Sequence, residues 1–280
     1  MISKLAFQIR RRWHPLWRLR KSKAFRFFQK KLDPTVFRRI EGTNIPVAMK
    51  MIRDATLVVS GKSVETEILA AFDLLCEISK PSVFWDVGAN IGYYAWASLQ
   101  KKSVKQVLMF EPDPVNFRLL NATIHRNGLT QCQVKNVALS NQEGTAEFLI
   151  DEASGATGAL SIASKDDNDY SLHHAYGMKN LVICQTMTVD GLIQRGNPPP
   201  DLMKIEVEGA ENLVFEGARK CLAENEPCII VETSNFGMVS QICQQGYQAF
   251  AIDDGNFVLL PGKMKSHFSR IEKQLVKLPS

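Results

Sequence analysis

The sequence contains no C-x-x-C pair: Cys76, Cys132, Cys184, Cys221, Cys228 and Cys243 stand far apart. That spacing offers neither a zinc site nor a dithiol redox centre, and the thiols are read as reduced and buried. No uninterrupted apolar run approaches the 18 or so residues that a membrane-spanning helix needs. The first residues also lack the uncharged apolar stretch of a signal peptide, so the cytoplasm is the expected compartment. No internal repeat is visible. Acidic residues are almost missing from the first 40 positions. There, 13 Lys and Arg face Asp33 alone, a charge of +12, so the other 240 of the 280 residues carry −7 of the total +5. What is present is apolar: 45% hydrophobic residues are enough for a sizeable core and exclude disorder throughout.

Within the basic segment Leu5, Ile9 and Trp13 recur every fourth residue, and Phe25, Phe28 and Leu32 at three and four, the spacing of a helical face. Pro15 divides this stretch into two helices and Asp33-Pro34 stops it. Residues 1–40 are therefore expected to form a basic amphipathic helical extension. Its aromatic residues could enter an anionic membrane surface, making the protein peripherally membrane-associated. The same pattern also fits a helix docked on its own domain or on a second subunit. A nucleic-acid partner is the lesser alternative, and the oligomeric state stays open.

From Thr43 onward short apolar runs alternate with helical patterns, as in a mostly parallel sheet with crossover helices. The strands predicted are Val83–Val87, Gln106–Phe110, Gln133–Ala138, Leu202–Val207 and Cys228–Val231. The helices are Tyr93–Gln100, Pro114–Arg126, Glu211–Glu224 and Met238–Gln245, with Asn127-Gly128 as a helix stop. An antiparallel pair is expected near Ala146–Ile150 and Leu181–Thr186, and residues 151–180, rich in Ser, Asp, Gly and Asn, read as a long loop. Residues 41–80 form a strand and helix lead-in, and 81–280 the main domain.

Ligands of such sheets bind beyond the carboxyl ends of the strands. The first strand runs into Asp86-Val87-Gly88-Ala89-Asn90-Ile91-Gly92, where Gly88 and Gly92 permit a tight turn and close approach. The second strand ends in Glu111, from which a carboxylate can accept both hydroxyls of a ribose. A dinucleotide shares that feature, but Asp86 would repel a pyrophosphate at this helix start. The sulfonium and ammonium groups of S-adenosylmethionine would instead be attracted. The G-x-N-x-G spacing also departs from the dinucleotide fingerprint.

The run Asp86 to Tyr94 resembles the FkbM-type methyltransferases. The likeness continues in Phe110-Glu111-Pro112-Asp113-Pro114 with Leu119-Leu120-Asn121, and in Asn136-Val137-Ala138-Leu139-Ser140 with Gly144. It is strongest in Met203-Lys204-Ile205-Glu206-Val207-Glu208-Gly209-Ala210-Glu211, followed by Glu216-Gly217-Ala218 and the strand to Glu232, so it covers residues 81–233. The resemblance implies an α/β, Rossmann-like fold of seven mostly parallel strands, the last antiparallel. It also implies S-adenosyl-L-methionine as cofactor and transfer to a hydroxyl oxygen of a sugar, glycolipid or other small molecule. Glu206 stands where the family more often has aspartate. The cofactor-binding set is Asp86, Gly88, Ala89, Asn90, Gly92, Glu111, Pro112, Asn136 and Ala138.

Methylating an alcohol calls for a base and for an acceptor held in line. Lys204, Glu206 and Glu208 alternate along a strand, so their side chains are expected on one face, and they form the candidate catalytic set. Glu211 reads as a helix-dipole residue. Glu232 and Asn235 could line the acceptor pocket or join Mg²⁺, but surface strand-end acids are the commoner explanation, and no metal is assigned. His173-His174 and the ring residues Tyr93, Tyr94 and Trp96 receive no role. Asn197-Pro198-Pro199-Pro200 reads as a loop. A nicotinamide-dependent oxidoreductase and a non-catalytic binding module remain the alternatives.

Overall fold

The computed structural model describes residues 32–61, 65–151, 158–161 and 179–278. The helical reading of residues 1–31 and the His173-His174 pair lie outside these. The chain opens with β1 (Thr35–Arg39), β2 (Pro46–Lys50), α1 (Ala55–Ser60) and α2 (Thr66–Ser79). There follow β3 (Val83–Val87), α3 (Tyr93–Ser98), β4 (Gln106–Phe110), α4 (Pro114–Asn127), β5 (Cys132–Lys135), β6 (Val137–Leu139), β7 (Gly144–Asp151), β8 (Gly158–Leu160) and β9 (Lys179–Met187). The last part holds α5 (Val189–Gln194), β10 (Leu202–Ile205), α6 (Glu211–Glu216), α7 (Arg219–Glu224), β11 (Cys228–Glu232), α8 (Phe236–Gln244), β12 (Tyr247–Ala251), β13 (Asn256–Pro261), α9 (Phe268–Ile271) and β14 (Val276–Lys277).

The central sheet has the order β14-β12-β13-β11-β10-β3-β4-β5. Strands β5, β4, β3, β10 and β11 run parallel, and β13 lies antiparallel between β11 and β12. This is the Rossmann-like arrangement expected, seven strands of which the last is antiparallel, with the two-residue β14 added at the edge. The central strands are near-continuous apolar runs because both faces are covered. Phe84, Leu202, Ile230 and Val258 pack into one core with α2 and α3, while Trp85, Met203, Ile229 and Leu259 pack into the other with α6 to α8. Alternation along β3 and β10 thus puts Asp86 and Lys204, the polar members of their strands, on the side of α2 and α3.

Several boundaries differ from those expected. Residues 35–39 of the expected helical extension form β1, paired antiparallel with β2, because Pro34 cannot continue a helix and Thr35, Val36 and Phe37 favour a strand. The single strand 133–138 is two strands in different sheets, broken at Asn136, whose side chain donates to the carbonyls of Glu111 (2.8 Å) and Pro112 (3.0 Å). The helix over 211–224 breaks after Glu216, where a Cβ on Gly217 would collide with the carbonyl of Ser140. The fourth parallel strand stops at Ile205, and Glu208 takes a left-handed conformation with φ 53°. The expected antiparallel pair is part of a four-stranded sheet of order β6-β9-β7-β8, and β8 falls inside the segment expected to be a loop. All six cysteines are free, and burial pushes the Cys76, Cys132, Cys221 and Cys228 thiols up to about 12, which leaves them inert.

Candidate active site

A cavity of about 350 Å³ opens at the carboxyl ends of β3, β4 and β10, under the wall formed by β6 to β8. Of the residues expected to hold the cofactor, Asp86, Gly88, Ala89, Asn90, Glu111, Pro112 and Ala138 line it, and so do Lys204, Glu206 and Glu208. Gly92 and Asn136 do not. Gly92 caps α3 at φ 84°, packed against Trp96 and Leu120, and Asn136 clamps the Glu111-Pro112 peptides from behind.

Two glycine-turn features build the cradle. Gly88 has φ 78°, and its N–H donates to the Phe110 carbonyl at 3.0 Å, tying the turn to the end of β4. Asn90, also left-handed at φ 52°, donates its N–H to Glu111 Oε2 at 2.7 Å, while the Asp113 N–H donates to Oε1 at 2.8 Å. Each oxygen of Glu111 therefore keeps a further lone pair on the cavity side of a fixed carboxyl group. Burial raises this carboxyl to about 8, against the pull of its two N–H donors.

The other end of the cavity is charged. Asp86 is buried and accepts the Ala95 N–H at 3.1 Å, and burial raises it to about 7 although Lys204 opposes the shift. Strand register sets Lys204 directly beside Asp86. The Lys204 ammonium pairs with the Glu206 carboxylate and lies 4.7 Å from the centre of the Tyr94 ring. Burial works against both charges of that pair, but each holds the other ionised: Lys204 is raised and Glu206 lowered. Tyr94 in turn donates its hydroxyl to Glu65 Oε2 at 2.8 Å. Although the strand ends early and Glu208 turns away from strict alternation, the three expected catalytic side chains still meet at one cavity.

Sequence reasoning did not find Glu65, the polar role of Tyr94, or the buried Arg53. Arg53 reaches Asp113 Oδ2 at 3.3 Å and pairs with Asn116, two residues of the cavity wall. The one local signal was Asp113-Pro114, a capping residue with proline at the first helical position; Asp113 does accept the Val115 N–H at 2.6 Å. Glu211 accepts the Gly209 N–H at 2.9 Å at the start of α6, and Pro198 accepts the Trp85 indole at 3.1 Å from a loop.

The model of the methyltransferase FkbM domain matches residues 86–250. The chain belongs to the FkbM methyltransferase family. Within 160 residues it is 31% identical to the hexuronic acid methyltransferase AglP of Haloferax volcanii, covering 57% of this chain and 59% of that protein. This FkbM domain also aligns with the methyltransferase FkbM structure from Methylobacillus flagellatus, at 16% identity and a TM-score of 0.45, over 65% of this chain and 44% of that one. An O-methyltransferase from Bacillus cereus, solved in complex with SAH, aligns at 15% identity and a TM-score of 0.41, over 73% and 84% of the two chains. The FkbM chain thus spans less than two thirds of the Haloferax and Methylobacillus proteins.

Proposed function

We propose that the protein is an S-adenosylmethionine-dependent O-methyltransferase that modifies a hydroxyl oxygen of a sugar, glycolipid or other small molecule. The observation that carries this reading is the pair of buried carboxyls on one cavity, Asp86 beside the Gly88 turn and Glu111 at the end of the next strand. Glu65, Asp86, Glu111, Asp113, Glu206 and Glu208 line the cavity, and Lys204 is the one Lys or Arg among the described lining residues. That balance favours a ligand bearing sulfonium and ammonium groups and disfavours a pyrophosphate, which sets aside the nicotinamide reading. Glu111 would take the ribose hydroxyls, with Gly88, Ala89, Asn90, Pro112 and Ala138 as walls, and with Gly92 and Asn136 holding those walls in place.

The donor, when bound, supplies a methyl group activated by its sulfonium. The chain's own residues do the rest. Lys204 keeps Glu206 ionised, so Glu206 can accept the proton of the acceptor hydroxyl, and Glu208 orients that hydroxyl. A sugar acceptor is supported by the Haloferax relative, whose name specifies a hexuronic acid. For residues 1–31 the same reading includes an approach to an anionic membrane surface, supported by their charge. No helix among the described residues is long and apolar enough to cross a membrane.

The test is incubation of the full chain with isotope-labelled S-adenosylmethionine and fractionated cell extract, followed by mass spectrometry. An alkali-stable methyl ether is expected, formed by wild type and lost in Glu206→Gln. Tight binding of NADH without binding of S-adenosylhomocysteine would end the reading. Cofactor binding with no methylated product in any fraction would support a binding module instead.

A further inference from the structure

A proton taken up by Glu206 has to leave before the next turnover. The 31% of the Glu206 side chain that is exposed faces the cavity, which donor and acceptor would fill. Parallel pairing of β10 with β11 sets Ile205 opposite Val231, so the next residues, Glu206 and Glu232, stand side by side at the carboxyl ends of their strands. Their carboxyl groups are close enough that each shifts the ionisation of the other. Glu232 is not among the cavity residues and keeps an exposed edge. We propose that Glu232 is the proton exit of the site, a relay from Glu206 to bulk water on the side away from the substrates. This rests on the methyltransferase reading above for its first step.

Two carboxyl groups side by side at adjacent strand ends disfavour ionising together, so one of them holds a proton. Lys204 fixes Glu206 as the carboxylate, so the proton resides on Glu232. Partial burial and then the Glu206 carboxylate push Glu232 up to about 8, with Lys204 opposing and Glu208 and Glu65 adding to the rise. On its other side Glu232 is in register with Asn256 of β13, whose amide donates to Asp253 at 3.0 Å. In the step, the acceptor's O–H bond breaks and its proton passes to Glu206. The acceptor oxygen bonds to the methyl carbon as that carbon's bond to sulfur breaks, its electron pair staying on sulfur. Glu232 gives up the proton it carries to water and takes the one on Glu206, which returns Glu206 to the carboxylate. One proton is released per methyl group.

The pairing can be read without donor or acceptor. Carbon-13 carboxyl titration of the full chain, labelled at glutamate, should contain a group titrating near 8 that is absent in Glu232→Gln and that moves down in Glu206→Gln. A Glu232 that titrates in the ordinary carboxylate range, unaffected by Glu206→Gln, would overturn the proposal whatever the enzyme methylates. In the extract assay Glu232→Gln should bind S-adenosylhomocysteine within about twofold of wild type while turnover falls about 100-fold, the scale of lost proton-transfer catalysis. With S-adenosylmethionine saturating at every pH, so that ionisation of Asp86 and Glu111 does not limit the rate, wild-type turnover should rise through pH 8, Glu232→Gln should be flat there, and Glu232→Asp should restore part of the rise. Wild-type turnover and pH dependence in Glu232→Gln would also overturn it. Absence of methylation by wild type would count against the methyltransferase reading and leave the titration to decide the relay.

Discussion

Gly88 on the first turn and Glu206 on the fourth are in backbone contact: a Cβ on Gly88 would collide with the Glu206 carbonyl oxygen and lie 3.4 Å from Val207 Cγ1. The Glu206 N–H donates to the Val87 carbonyl at 3.0 Å, so the donor turn and the proposed base are parts of one rigid junction.

Gly88→Ala is therefore expected to damage both halves of the site at once. A methyl group must displace backbone, and φ 78° adds a left-handed penalty, together about 3 kcal/mol. Chemical denaturation should give that loss, and S-adenosylhomocysteine binding should fall at least tenfold.

Asp86 and Glu111 separate stability from binding. Their ordinary values of 3.8 and 4.5 are raised to about 7 and about 8, so between those limits the folded chain holds more protons than the unfolded one. The stability of the ligand-free protein should therefore fall as pH rises through that window. Donor affinity should move the other way, strengthening as both groups ionise. Asp86→Asn and Glu111→Gln should leave the ligand-free melting temperature at pH 8 unchanged or higher, yet weaken donor binding by about 1.5–3 kcal/mol, the worth of hydrogen bonds to a charged group. Melting and calorimetry across this range check both signs.

Arg53→Met should cost about 3 kcal/mol, because Asp113 and Asn116 lose a partner that is 6% exposed. Loss of stability should come with weaker donor binding, since Asp113 gives its N–H to Glu111. Arg53→Lys should recover only part of either, lacking the planar fork. Thermal melts and calorimetry on the two variants test it.

The extension can be removed at two points with different results. Deleting residues 1–31 should abolish sedimentation with anionic vesicles and spare S-adenosylhomocysteine binding. Deleting 1–40 also removes Asp33, whose carboxyl accepts the N–H groups of Ile52 (2.7 Å) and Arg53 (2.9 Å), and β1 with it. That second variant should also lose stability. Wild-type protein that ignores such vesicles would remove the membrane reading.

The parallel strands were legible because burial on both faces demands the unbroken apolar runs of Val83–Val87 and Gln106–Phe110. Asp86, Gly88 and Glu111 were legible because turn geometry and strand ends are local. What the sequence hid is what long-range packing decides. Nothing near Glu65 announces that Tyr94 will donate to it across 29 positions, nor that Arg53 will meet Asn116 across 63. The pairing of Asp86 with Lys204 depends on strand order, which local periodicity does not contain. The break at Asn136 was hidden for the same reason: its side chain serves the backbone of another strand.

Strand β13, the last but one in the chain, sits between β11 and β12. During synthesis β11 therefore waits paired with β10 on one side but with its other edge, at Ile229 and Val231, unpaired until Pro261 has emerged. Any product ending earlier leaves an apolar strand edge open to other chains. Premature termination before that point should yield insoluble aggregate even though every proposed site residue has already been made.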